Sequence, residues 1–228
     1  MRRHPMVAGL LVVAAMALIG GAGYTAYAGG SVYRSLDSGR QELVAAQLTI
    51  KNAGPSADVS QFRSAVDELK LAERDFDDAR PRARDDPALR LAGGVPAAGR
   101  EVDASAHLAA IGADLSRGGQ AADVVAIQVA TLRQKYSGRA LSPDDLQAIL
   151  QQAQAIASTY KGSIQAIGQE LRAAHGERAQ VTTTDLVAPM RSAYAAVDQA
   201  LAEADSAFAR YQDVRQVLSD FLGVPLPG

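Results

Sequence analysis

The sequence predicts an all-α protein: an N-terminal membrane helix followed by an elongated bundle of about five long helices, paired as hairpins. Three observations carry this. An uncharged apolar run, MVAGLLVVAAMALIGGAGYTAYA, fills residues 6–28 behind Arg2 and Arg3. Beyond it, apolar residues recur at spacings of three and four, the period of helices rather than strands. The chain has no Trp, no Cys and four Phe, so seams of Ala, Val, Leu and Ile must supply the core. Such seams bury little area per residue. At roughly 25 cal/mol per Å², the expected core is thin and the stability modest.

The first element is the apolar run. No charged residue falls between His4 and Arg34. As a helix the run would reach roughly 34 Å, enough to cross a bilayer core of about 30 Å. Residues 1–5 then form a short basic cytoplasmic tail, 6–28 the anchor, and 29–228 an extracytoplasmic helical region. Tyr24, Tyr27 and Tyr33 suit the outer interface, and Gly20, Gly21 and Gly23 permit close helix contact. A signal peptide is the competing reading, with an apolar core over 7–19 and a small-residue cleavage site at Ala26-Tyr27-Ala28. Both readings export the same region.

That region holds all 25 acidic residues and, without Arg2 and Arg3, 21 basic ones, a net charge of about −4. No basic patch points to nucleic acid. The absence of Cys excludes a disulfide framework and a lipid-modified cysteine.

The first exported helix is expected over 31–51. Val32, Leu36, Gly39, Leu43, Ala46 and Ile50 share one face, and Asn52-Ala53-Gly54-Pro55 supplies the stop. The second starts near Asp58, which forms a capping box with Gln61. Its seam is Phe62, Val66, Leu69, Ala72, Phe76 and Ala79. Over 74–90, Pro81 and Pro87 are expected to break it into a solvated helix end and linker. A divalent cation at Asp77, Asp78, Asp85 and Asp86 is the sharper reading. Adjacent Asp residues on a helix diverge by about 100°, which disfavours it.

Residues 93–99, GGVPAAG, read as a turn, and a third helix is expected from Arg100 toward Tyr136. Its seam is Leu108, Ile111, Leu115, Gly118, Ala122, Val125, Val129 and Leu132. Gly118-Gly119 predicts either a kink or a close neighbour, since two helical glycines cost about 2 kcal/mol relative to Ala. Ser142-Pro143-Asp144-Asp145 is a helix start, with Ser142 as cap and Pro143 in the first helical position. The cap accounts for these carboxylates without catalysis. One helix is expected from there to His175-Gly176, with the seam Leu146, Ile149, Ala153, Ile156, Tyr160, Ile164, Ile167 and Leu171. A fifth helix should start at Thr182-Thr183-Thr184-Asp185. It carries Tyr194, Val197, Leu201, Ala204, Phe208, Tyr211, Val214, Leu218 and Phe221.

Catalytic signals are missing. The histidines are His4, His107 and His175, and no metal-binding spacing joins them. No nucleophile motif, phosphate loop or dinucleotide fingerprint occurs in the exported region. The sequence therefore predicts no catalytic, cofactor-binding or metal-binding residue, and no cofactor.

The order of elements carries a resemblance. Gly94-Val95-Pro96-Ala97-Ala98-Gly99-Arg100-Glu101-Val102 leads into an Ala-rich helix, and Leu218-Ser219-Asp220-Phe221-Leu222-Gly223 closes the last one. With the preceding apolar run, this resembles the N-terminal helical arm of the bacterial domain-of-unknown-function family number four thousand and twelve. Members of that family are membrane-anchored, with suspected roles at the cell surface or in surface polysaccharide biology. The resemblance implies an arm without the globular domain that follows it in the family. It carries over no functional residue.

The expectation is a single-pass, non-enzymatic structural or interaction module of the cell envelope. Its partners would be membrane lipid through residues 6–28 and a protein, or a second copy, through exposed helical seams. The alternative is a helical-bundle sensor holding a small ligand between helices, with Gln128, Tyr160 and Tyr194 as the polar candidates.

Overall fold

The computed structural model describes residues 30–53, 58–92, 94–136 and 142–211. Residues 6–28, with the anchor or signal peptide assigned to them, lie outside the described residues, as do Gly54, Pro55, Val214, Leu218 and Phe221. No described helix is long and apolar enough to cross a membrane. Among the described residues the fold is all-α, without strands, in seven helices. They are α1 (Gly30–Ala53), α2 (Val59–Asp85), α3 (Pro87–Ala92), α4 (Pro96–Tyr136), α5 (Pro143–Thr159), α6 (Lys161–Ala179) and α7 (Ala188–Tyr211).

The first hairpin follows the seams closely. Val32, Gly39, Leu43, Ala46 and Ile50 of α1 are buried against α2, and Leu36 is half-buried. The Asp58 carboxylate accepts from the Gln61 N–H, and the Gln61 side chain accepts from the Asp58 N–H, completing the capping box. The buried stripe of α2 is Phe62, Ala65, Leu69, Ala72, Phe76, Ala79 and Ala83. Ala65 replaces the expected Val66, which is half-buried.

Pro81 does not end α2. A proline inside a helix loses one hydrogen bond and costs about 3 kcal/mol. Here Ala79 and Ala83 on either side are buried, and Arg82 donates to Ser35 Oγ on α1 at 3.0 Å, so packing outweighs the local cost. Pro87 does end α2, which stops at Asp85 with Asp86 extended at ψ 123°, and it also takes the first position of the short helix α3. The Asp86 carboxylate accepts from the Leu89 N–H at 3.2 Å and caps α3. The expected turn over 93–99 is likewise shorter, because Pro96 takes the first position of α4.

α4 has 41 residues, about 61 Å of helix, and it organises the fold. α2 packs along it, α6 packs along it, and α7 touches it. From Ala104 to Ser116 only His107 is not fully buried. Most side chains of this waist are Ala, Gly or Ser, which lets neighbours approach from several sides. The Phe76 ring of α2 lies between two glycines. A Cβ on Gly39 of α1 would come within 3.0 Å of the ring, and one on Gly112 of α4 within 2.8 Å. α4 runs as one helix through Gly118-Gly119. A Cβ on Gly118 would meet Glu170 of α6 at 3.6 Å, an ordinary contact.

Two further expectations need correction. The helix from Ser142 to His175 is two helices, joined at Tyr160 with φ −100° and ψ 17°. The break turns α6 onto α4, and α6 then continues past Gly176 to Ala179 because Leu171 and Ala174 are buried. The last helix begins at Ala188 rather than at the Thr182–Asp185 cluster. A side chain distant in sequence explains this: Glu101 Oε1 of α4 accepts from the Val187 N–H at 2.6 Å. Leu186 beside it is buried, so 183–187 form an anchored turn.

Candidate functional site

The densest polar arrangement lies where α2, α4 and α6 meet. Both α2 and α6 run antiparallel to α4 there, since Arg80 and Glu177 sit at the level of His107, while Glu73 and Glu170 sit at Arg117. α4 contributes His107, Asp114, Arg117 and Gln120, spaced seven, three and three, a stripe that drifts slowly around the helix. α2 contributes Glu73, Asp77 and Arg80, and α6 contributes Glu170 and Glu177. In each helix these positions lie three, four or seven apart, so they share a face.

The first cluster centres on Glu177. Its Oε2 accepts from His107 Nδ1 at 2.6 Å, and its Oε1 accepts from Arg80 Nη2 at 3.0 Å. The second centres on Arg117. Its Nε donates to Glu170 Oε2 at 3.0 Å, Nη1 donates to Glu73 Oε1 at 3.5 Å, and Nη2 donates to Asp114 Oδ1. Asp77 Oδ1 lies 3.7 Å from Nη1. Gln120 adds a bond to Glu73 Oε2 at 2.6 Å.

Burial dominates the electrostatics. It pushes the Asp114 carboxyl up to about 6, against the opposing pull of Arg117 and with help from Glu170 and Glu177. Burial also works against the Arg117 charge. Glu170 and Asp114 more than offset it, so the guanidinium stays protonated more firmly than usual. Six residues farther along α4, Asp123 is 2% exposed, and its Oδ2 has no partner. Burial alone raises its pKa well above its ordinary value.

The chemistry open to this seam is limited. Both Glu177 oxygens and three Arg117 nitrogens are taken by groups of the same chain. Among the described residues no hydroxyl is bonded to His107. The buried Ser105 and Ser116 donate to carbonyls of their own helix, Glu101 and Gly112, at 2.8 Å. No three His, Asp or Glu side chains among the described residues form a metal-holding group. What the seam does is fix three helices in register.

The four aspartates weighed for a cation do not converge. Asp77 turns toward Arg117, Asp78 pairs with Arg82 at 3.3 Å, Asp85 is exposed, and Asp86 caps α3. Ser142 and Asp145 form a reciprocal cap, with Asp145 N–H donating to Ser142 Oγ at 3.1 Å, and Asp144 is exposed. His175 is exposed and lies 2.9 Å from Asp205. The three sensor candidates are not brought together. Tyr194 is buried and its hydroxyl donates to the Ala104 carbonyl at 2.6 Å, while Gln128 lies about 36 Å farther along α4. Tyr160 sits at the break between α5 and α6.

Apolar periodicity missed the seam because its residues are polar. The signal present was a seven-residue repeat of polar pairs: Glu73 with Arg80, His107 with Asp114, and Glu170 with Glu177. Nothing local announced Glu101 or Asp123. Comparison with family models, curated proteins and solved structures finds no match to this chain.

Proposed function

We propose that the protein is a non-enzymatic, membrane-anchored helical module that works outside the cytoplasmic membrane as a spacer or scaffold. The observation that carries the reading is the self-contained charged seam. Arg117, Glu177 and their partners consume one another's hydrogen-bonding capacity and hold α2, α4 and α6 in register. A catalytic or ligand-binding centre needs groups left free to meet a substrate. A spacer needs length and stiffness, which a helix of about 61 Å clamped on several sides supplies.

Residues 6–28 serve as the anchor in this reading, with Arg2 and Arg3 inside and residues 29–228 outside. Membrane lipid is then one partner, and a protein or a second copy of this chain the other.

Protease added to intact spheroplasts tests the reading. Digestion of the C-terminal part, with the N-terminal fragment retained in the membrane fraction, supports it. Protection of the C-terminal part overturns the topology, and release of a soluble chain beginning at Gly29 overturns the anchor.

A further inference from the structure

The corner between α3 and α4 carries the most exposed large apolar side chains among the described residues, Leu91 at 82% and Val95 at 58%. A single exposed Leu is ordinary, but two on one tip ask what covers them.

Their place in the fold answers. Val32 of α1, Ala83 of α2, Leu89 of α3 and Ala106 of α4 form a small buried cluster, separate from the main core. The start of α1 therefore lies beside the corner. α1 and α4 are parallel there, because each is antiparallel to α2. Pro96 lies about 15 Å beyond Ala106 along α4, whereas Gly30 lies only about 3 Å beyond Val32 along α1. The tip thus projects past the first residue of α1, toward the end from which residues 6–28 lead.

We infer that Leu91 and Val95 dip into the headgroup and acyl boundary of the bilayer that holds residues 6–28, giving the module a second membrane contact. This rests on the anchored reading proposed above. The charge at this end agrees. Arg34, Arg84, Arg90 and Arg100 are exposed there, against exposed Asp85 and Asp103 and half-buried Asp86. Arg82 and Asp78 pair with each other and cancel, and Asp86 keeps its charge while it caps α3. Exposed arginines beside an apolar tip suit anionic headgroups around a shallow insertion. Two contacts, the anchor and the corner, would set the tilt of the bundle on the membrane.

The chain has no Trp, so a single introduced indole is a clean reporter. The full chain carrying Leu91→Trp is reconstituted in phosphatidylcholine and phosphatidylglycerol vesicles with shallow-brominated lipid. Leu48→Trp is the control, because Leu48 is 46% exposed at the far end of α1, beside the level where Thr49 meets Glu68. On chains that float with the vesicles, the expected result is blue-shifted, quenched emission from the Leu91→Trp variant and unquenched emission from the Leu48→Trp variant. Floating chains in which the corner indole is as unquenched as the control overturn the inference and leave the anchor standing. A corner indole that is blue-shifted but unquenched also overturns it, and assigns the corner to a protein, such as a second copy. Chains that do not float overturn the anchored reading and this inference with it.

Discussion

Helices α4 and α5 both draw on Ala, Leu, Ile and Gln, yet one is the waist of the fold and the other is lightly attached. From Ala104 to Ser116, α4 is buried on almost every side by α2, α6 and their neighbours. Among the described side chains of α5, Ile149 is the fully buried one, and α5 makes small contacts with α4 and α6. Burial here is set by how many helices converge, not by the apolar content of the helix itself. Small residues permit convergence. Gly112, Ala109 and Ser116 leave room for neighbours, whereas the glutamines of α5 require solvent.

The largest test of this contrast is truncation. Ile111→Ala should cost about 2–5 kcal/mol of unfolding free energy, while Ile156→Ala, half-buried on α5, should cost well below about 2 kcal/mol. Equal losses in denaturant titration would make α5 part of the same cooperative core. Native-state hydrogen exchange should agree, with α5 amides opening locally and α4 amides opening with global unfolding.

The second test uses charge. The acids of the α4 waist are buried, and those at the start of α5 sit at an open cap. Asp114 has a folded pKa of about 6, above its ordinary 3.8, so the folded state binds more protons between those values. Its contribution to stability is therefore greatest below about 4, is lost as pH rises toward 6, and is flat above that. The displacement corresponds to about 3 kcal/mol. Asp123, whose carboxyl is also raised by burial, acts in the same direction. Asp114→Asn should flatten this part of the stability profile between about pH 4 and 6, measured by urea titration across pH. A profile that rises with pH to the same extent in both proteins would show that Asp114 is not desolvated.

Third, glycine substitutions should change sign with location. Gly112→Ala drives a methyl into the Phe76 ring and should destabilise by about 1–3 kcal/mol, with partial relief when combined with Phe76→Leu. At Gly162, near the start of α6, a Cβ meets nothing within 4 Å, so Gly162→Ala should stabilise by about 0.5–1 kcal/mol. Thermal melts of both variants check the pair, and stabilisation by Gly112→Ala would mean that the ring has room.

The smallest effect belongs to the α5 cap. Ser142→Ala removes the Ser142 half of a reciprocal cap and should cost about 1 kcal/mol. Because α5 is lightly attached, the loss should appear first as faster exchange of α5 amides. A shift confined to α4 amides would contradict that.

The helical class, the α1 and α2 seams and the Asp58 and Ser142 caps were legible in sequence, because each depends on residues within a few turns of one another. Reading Pro81 as a break failed, since two buried alanines and Arg82 hold that turn from outside. The start of α7 was misplaced because its turn is anchored by Glu101, 86 residues away. The site was less legible still. Each half of the charged seam looks like an ordinary solvated helix face until its partner helix is beside it, and α5 and α6 read as one helix because their apolar period runs unbroken through Tyr160.

Sequence alone determined the helical period, the local caps and the uncharged run at the N-terminus, which follow from side-chain chemistry within a turn or a segment. Only the tertiary structure decided which helix became the waist, which carboxylates were stripped of water, and which charges neutralise one another. Those outcomes depend on which faces meet. Desolvation and close packing arise between segments far apart in the chain, where no local pattern can register them.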